Sequence, residues 1–240
     1  MERRQRQTDG ARMTRSTNAR IAGATFLVYI AVGLLGLRLW SRATAGVEVV
    51  DQLAGLAQHA TDARFAILLT LVGNLSALVL AVTLYAITKE QDADLAMIGL
   101  TCRVAEGICG MDFSRTLGLL WLATATDAAG LDAGARAALG AYFFKLEGSF
   151  NASATFFAIG STLFSWLLLR GRMVPAGLAW LGVLASVLLV VCLPLQLAGL
   201  LRGPVTQYIW MPMLLFEVPL GLWLIVKGVA PSTARVAQRA

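Results

Sequence analysis

The chain has 240 residues, of which 58% are hydrophobic and 14% charged, with a formal net charge of +6. A soluble domain carries roughly 25% charged residues, so this composition leaves too few to cover a water-facing surface. It also excludes an intrinsically disordered chain, which is poor in apolar residues.

Mean hydropathy is +0.70 and the isoelectric point about 9.7. The basic residues bracket apolar segments rather than forming a patch, which argues against a nucleic-acid partner. Cys102, Cys109 and Cys192 all sit in apolar runs, which argues against a disulfide scaffold. The composition points to an integral membrane protein, with membrane lipids as its first partners.

Residues 1–18 are rich in Arg, Gln and Thr and have little to bury. They read as a disordered basic tail whose arginines approach anionic headgroups. A bilayer core of about 30 Å needs about 20 apolar residues in a helix. Six segments qualify, at 21–39, 65–87, 95–122, 139–169, 176–197 and 208–228. The expected fold is therefore all-α, a six-helix transmembrane bundle over 19–229, followed by a short tail at 230–240. The third and fourth segments exceed a minimal span, so tilt or emergence from the bilayer is expected. No segment shows the short alternating pattern of barrel strands.

After the first apolar run, Ala43, Thr44 and Ala45 have the look of a secretory cleavage site. The run exceeds the usual signal length, and Arg38 and Arg42 intervene. A retained first span is the reading carried forward. Between the first two spans, Val50, Leu53, Leu56 and Ala57 are spaced for a short amphipathic helix. The segment 124–134 between the third and fourth spans reads as a flexible connection.

Orientation follows from Lys and Arg in short loops. One side holds Arg3, Arg4, Arg6, Arg12, Arg15, Arg20, Lys89, Arg170, Arg172, Lys227, Arg235 and Arg239. The other holds Arg38, Arg42, Arg64, Arg136 and Arg202. This asymmetry places both termini in the cytoplasm of a multi-pass protein of the plasma membrane. No internal repeat is visible, which weighs against an inverted-repeat transporter.

Three stretches carry a family resemblance. They are NARIAGATFL at 18–27, the run from 156 through WLLLR and GRMVPAGLAWLG to 182, and Glu217 with LWLIVKGV at 222–229. On these the chain resembles the DUF4386 family of uncharacterised six-span bacterial membrane proteins. The resemblance implies the six-span architecture and supplies no reaction. One departure is that family members often carry histidines in the fourth span, where this chain has none.

Ionisable residues inside a membrane cost roughly 2.5–3.5 kcal/mol each on insertion scales. At about 1.5 Å per residue, Arg103, Glu106 and Glu217 fall about 12, 17 and 16 Å from the cytoplasmic edge, close to the midplane. Asp112, Arg115, Lys145 and Glu147 fall about 25–35 Å away by the same count, at the outer interface, where charges are cheap through snorkelling. They read as a secondary outer cluster of paired charges.

Arg103 and Glu106 are three residues apart on one helix, so they can meet. Gly99, Cys102, Cys109, Gly110 and Phe113 share that side, and small residues admit a neighbouring backbone. Two acids and one base leave one excess negative charge when all ionise, which calls for a proton or a further cation. Pro212 and Pro219 bracket Glu217 and should kink the sixth span. Asn74, Asn151 and Gln196 are further polar groups that could line a cavity.

Other chemistry finds no support. The one histidine, His59, lies in an outer loop, so haem or His-based metal sites in the bundle are excluded. Ser149, Ser153, Ser161 and Ser165 form a stripe with no histidine to activate them, and read as helix contact. No phosphate loop or dinucleotide fingerprint occurs, and no cofactor is expected. The leading expectation is a membrane protein that binds a small hydrophobic, amphipathic or lipid-like ligand at Arg103, Glu106 and Glu217. The alternatives are a secondary carrier coupled to a proton or ion at Glu217, an intramembrane enzyme on a lipid-like substrate, and a non-catalytic subunit whose charges form a structural lock. The oligomeric state is not legible.

Overall fold

A computed structural model of the chain describes residues 13–125, 130–146 and 148–230. Every regular element in them is helical. In chain order these are α1 Arg15–Ala43, α2 Val49–Gln58, α3 Ala60–Thr88, α4 Ala93–Cys109 and α5 Ser114–Thr124. There follow α6 Ala133–Lys145, α7 Gly148–Arg170, α8 Ala176–Leu197, α9 Val205–Tyr208 and α10 Met211–Val226.

Local chemistry sets the ends. Thr14 caps α1 by accepting from the Thr17 amide at 3.1 Å. Asp92 caps α4 through the Leu95 amide at 3.1 Å, and Asp132 caps α6 through the Ala135 amide at 2.7 Å. Such caps satisfy amides that the helix itself leaves open. Residues 15–18, expected in the disordered tail, are thus the first turn of α1. The remainder of that expected tail through 12, and 231–240, lie outside the described residues.

Six long helices close a ring. α1 packs on α3, α3 on α4, α4 on α7, α7 on α8, α8 on α10, and α10 back on α1. Small residues allow the closest crossings. A methyl added to Gly23 would lie 2.5 Å from the Gly221 carbonyl oxygen, so α1 and α10 touch backbone to backbone. The main apolar core fills the ring, with Phe26, Leu80, Phe157, Phe164, Leu189 and Phe216 among its members. The outward surface is just as apolar: Leu37 is 62% exposed and Leu184 63%.

The expected third and fourth spans are each broken. α4 ends at Cys109 and α5 starts at Ser114; α6 ends at Lys145 and α7 starts at Gly148. The length that suggested tilt belongs in each case to two helices. α2, α5 and α6 pack together over one end of the ring around a second apolar cluster of Leu53, Leu56, Leu119, Leu120 and Leu122. The amphipathic helix expected between the first two spans is α2. Its Leu53 and Leu56 are buried in this cap, whereas Val50 is exposed.

The opposite end gathers the loops. Arg15 pairs with Glu90 at 3.8 Å and Arg170 with Asp92 at 3.3 Å. The Ala230 amide donates to the Met173 carbonyl at 3.0 Å. The start of α1, the α3–α4 and α7–α8 turns and the end of the bundle therefore meet on one face. Aromatic side chains collect toward both ends, Trp40, Trp121 and Tyr208 toward the cap and Tyr85, Trp180 and Trp223 toward the other. Such residues suit two membrane–water interfaces.

Candidate functional site

α4 carries Arg103 and Glu106 into the ring, where both are buried. Arg103 Nη1 lies 2.8 Å from Glu106 Oε2. The charges touch, but the N–H groups are poorly aimed, and none of the guanidinium nitrogens has a hydrogen-bond acceptor among the described residues. Aromatic faces take part of that role. The guanidinium carbon stands 4.8 Å from the Phe157 ring centroid and 5.9 Å from that of Tyr29, within cation–π range.

Glu106 is held from two further sides. Tyr29 of α1 donates its hydroxyl to Oε1 at 3.3 Å, and Ser153 of α7 donates to the Glu106 carbonyl at 2.9 Å. Passage of the arginine stem depends on Gly160, where an added methyl would lie 2.9 Å from Arg103 Cγ and 3.2 Å from the Gly99 carbonyl oxygen. The sequence gives no site role to Tyr29 or Gly160, and Phe157 enters it only within the run that carries the family resemblance. Gly160 and Phe157 read there as ordinary apolar packing, and only the three-residue step between them, matching one helical face, hints at a shared neighbour.

Glu217 of α10 is 6% exposed and stands within electrostatic reach of both Arg103 and Glu106. It makes no ion pair within 4 Å with either. Its Oε1 is buried and without a hydrogen-bond donor among the described residues. The three charges expected at the midplane therefore share one interior region, with two of them paired and the third apart.

The prolines around Glu217 differ in effect. Pro219 lies inside α10, whereas Pro212 lies in its first turn, where no N–H is needed. Pro219 interrupts the ladder inside α10, whereas the disturbance expected at Pro212 falls at the break between α9 and α10, at residues 209–210. Pro194 interrupts α8 near its end.

A small cavity with room for about one water molecule lies inside the ring. Its polar lining is Arg103, Ser161 and Ser165, and its walls include Phe26, Phe164 and Phe216. The serine stripe of α7 thus divides: Ser153 supports Glu106, Ser161 and Ser165 line the cavity, and the side chain of Ser149 lies outside the described residues.

The other polar residues fall in different places. Asn74 donates to the Gly110 carbonyl at 2.7 Å, so it completes the α4–α5 break rather than facing the cavity. Asn151 is buried and Gln196 partly so, and each has an amide oxygen without a donor among the described residues. Neither lines the cavity.

Of the outer group, Arg115 donates to the Phe143 carbonyl at 2.9 Å and the Phe144 carbonyl at 3.2 Å, closing the end of α6. Asp112 accepts from the Ser114 amide at 3.1 Å and shapes the α4–α5 turn. Lys145 sits in the last turn of α6, where a cation suits the helix dipole. Glu147 lies outside the described residues. These side chains mark the two helix breaks. Among the described residues no group of three metal-ligating side chains occurs.

Among the described residues five helical stretches are long and apolar enough to cross a membrane: α1, α3, α6 with α7, α8, and α9 with α10. With an apolar exterior and charges turned inward, they define a multi-pass α-helical membrane protein. The chain belongs to the DUF4386 family, a domain of unknown function, matching it over residues 21–228. No curated protein and no solved structure matches it.

Proposed function

We propose that this is a six-span protein of the plasma membrane, with both termini in the cytoplasm, that binds a small amphipathic or lipid-like molecule through the Arg103–Glu106–Glu217 region. The span that brings the five long apolar stretches to six is α4, the third in chain order. Its 17 residues reach about 25 Å, and it occupies a full place in the ring. The orientation rests on the basic residues. Arg15, Lys89, Arg170 and Arg172 all belong to the loop-bearing end, which the positive-inside rule assigns to the cytoplasm.

One observation carries the ligand reading. Buried polar atoms normally find partners. Here Arg103 Nε and Nη2 and Glu217 Oε1 have none among the described residues, and Arg103 borders a cavity. Groups left open in this way are what an incoming polar head would satisfy. A carrier coupled to an ion at Glu217 is the second reading. Pro219 favours it, because a proline two residues beyond a buried carboxylate loosens the backbone where discontinuous helices hold ions.

The test is Glu217→Gln. The reading predicts a folded protein that no longer responds to an amphipathic ligand in thermal unfolding or in photo-crosslinking. Unchanged ligand response in the variant would remove Glu217 from the site.

A further inference from the structure

We infer that the cavity beside Arg103 is the subsite for an uncharged oxygen, so that the ligand is a neutral apolar molecule ending in a hydroxyl or carbonyl group. The inference rests on the reading that the interior cluster binds an amphipathic ligand, and it names which kind.

Arg103 is 1% exposed and has donors without acceptors among the described residues. The cavity it borders offers two hydroxyls, Ser161 and Ser165, one helical turn apart on α7. Everything else in the lining is aromatic or aliphatic: Phe26, Leu84, Phe164, Leu168, Phe216 and Leu220. A group that accepts from a guanidinium and exchanges hydrogen bonds with hydroxyls, inside apolar walls, is an oxygen atom on a hydrocarbon.

The surrounding charges select its charge state. A carboxylate or phosphate beside Arg103 would come near Glu106, which pairs with that arginine at 2.8 Å, and Glu217, which lies within its electrostatic reach, and like charges in a medium of low polarity repel strongly. An ammonium would have to enter beside the guanidinium of Arg103, which is the charged residue in the lining. The Arg103–Glu106 pair already balances itself at 2.8 Å. A neutral head meets neither penalty. The room available, about one water molecule, matches one such oxygen. The tail then lies along the apolar walls, which must part to admit it.

The experiment uses three photoreactive probes with the same decyl chain, ending in a hydroxyl, a carboxylate or an ammonium group. The purified full-length protein is irradiated in detergent with each, and labelled residues are mapped by peptide mass spectrometry. The expected result is labelling of α7 and α10 around Phe164 and Phe216 by the alcohol alone. Excess unlabelled decanol should suppress it at least fivefold. The variant Ser161→Val, whose elution profile reports folding, should lose most of it. Preferential labelling there by the ammonium or carboxylate probe would overturn the neutral-ligand inference and leave the binding-site reading intact. Failure of all three probes to label the interior would overturn both.

Discussion

The arginine at position 103 has the largest consequences of any single residue in this chain. An unpaired charge in the membrane is costly, and Arg103 is kept there by Glu106, by two aromatic faces and by a glycine that leaves room for its stem. Each support makes its own prediction. Gly160→Ala places a methyl 2.9 Å from the arginine stem and 3.2 Å from a carbonyl of α4, and the second neighbour is backbone that cannot easily yield. The expected loss is about 1–3 kcal/mol, typical of an overpacked interior, read as a lower unfolding temperature in detergent. Tyr29→Phe removes only a long hydrogen bond at 3.3 Å. About 1.5–3 kcal/mol is expected for a bond to a charged group, and a much larger loss would mean that the tyrosine has a further partner.

Helix breaks account for most of what hydropathy alone could not reveal. The spans at 21–39, 65–87, 176–197 and 208–228 were legible because their apolar runs coincide with α1, α3, α8 and α10. The third and fourth read as single long spans because the breaks at 110–113 and at Leu146 sit inside windows that stay apolar on average. At the first break only the polar Asp112 marks the interruption, and it reads equally well as an interfacial charge. The same ambiguity hid the work of Asn74 and Arg115. Both types of residue suggest a cavity or an ion pair, yet both serve carbonyls that a broken helix leaves open. Asn74→Leu should therefore destabilise by about 1–3 kcal/mol, the penalty for a stranded polar group, without changing ligand response. An altered ligand response at unchanged stability would return Asn74 to the site. Convergence of Arg103 and Glu106 was legible from their spacing. The separation of Glu217 from that pair was not, because depth along a helix says nothing of rotation about it.

At the scale of the whole molecule, the ring has unlike ends. One is covered by a layer of three helices around leucines; the other is joined by the ion pairs Arg15–Glu90 and Arg170–Asp92 across loops. Partly exposed pairs of this kind contribute about 0–1 kcal/mol each, less than the roughly 1.5–3 kcal/mol of one buried leucine. The loop-bearing end is thus held less by polar contacts than the cap is by apolar ones. Sidedness has a direct check. Cysteine at Val47, 92% exposed beside the cap, should react with an impermeant maleimide added to intact cells, whereas cysteine at Lys89 should react only after permeabilisation. The reverse pattern would invert the topology.

The central claim is that the interior holds one ion pair, balanced in charge but with Arg103 donors still open, and one separate carboxylate open to a ligand. Thermal unfolding of the purified Glu106→Gln and Glu217→Gln proteins, measured side by side, tests it most directly. Removing Glu106 strands Arg103 in a dry interior, a loss on the order of 3–5 kcal/mol, and adding Arg103→Met to Glu106→Gln should recover much of it. Glu217→Gln removes a carboxylate with no ion-pair partner within 4 Å among the described residues and should leave the unfolding temperature unchanged or raised. A loss for Glu217→Gln as large as for Glu106→Gln, recovered when Arg103→Met is added to both, would contradict the account and make all three charges a single structural lock.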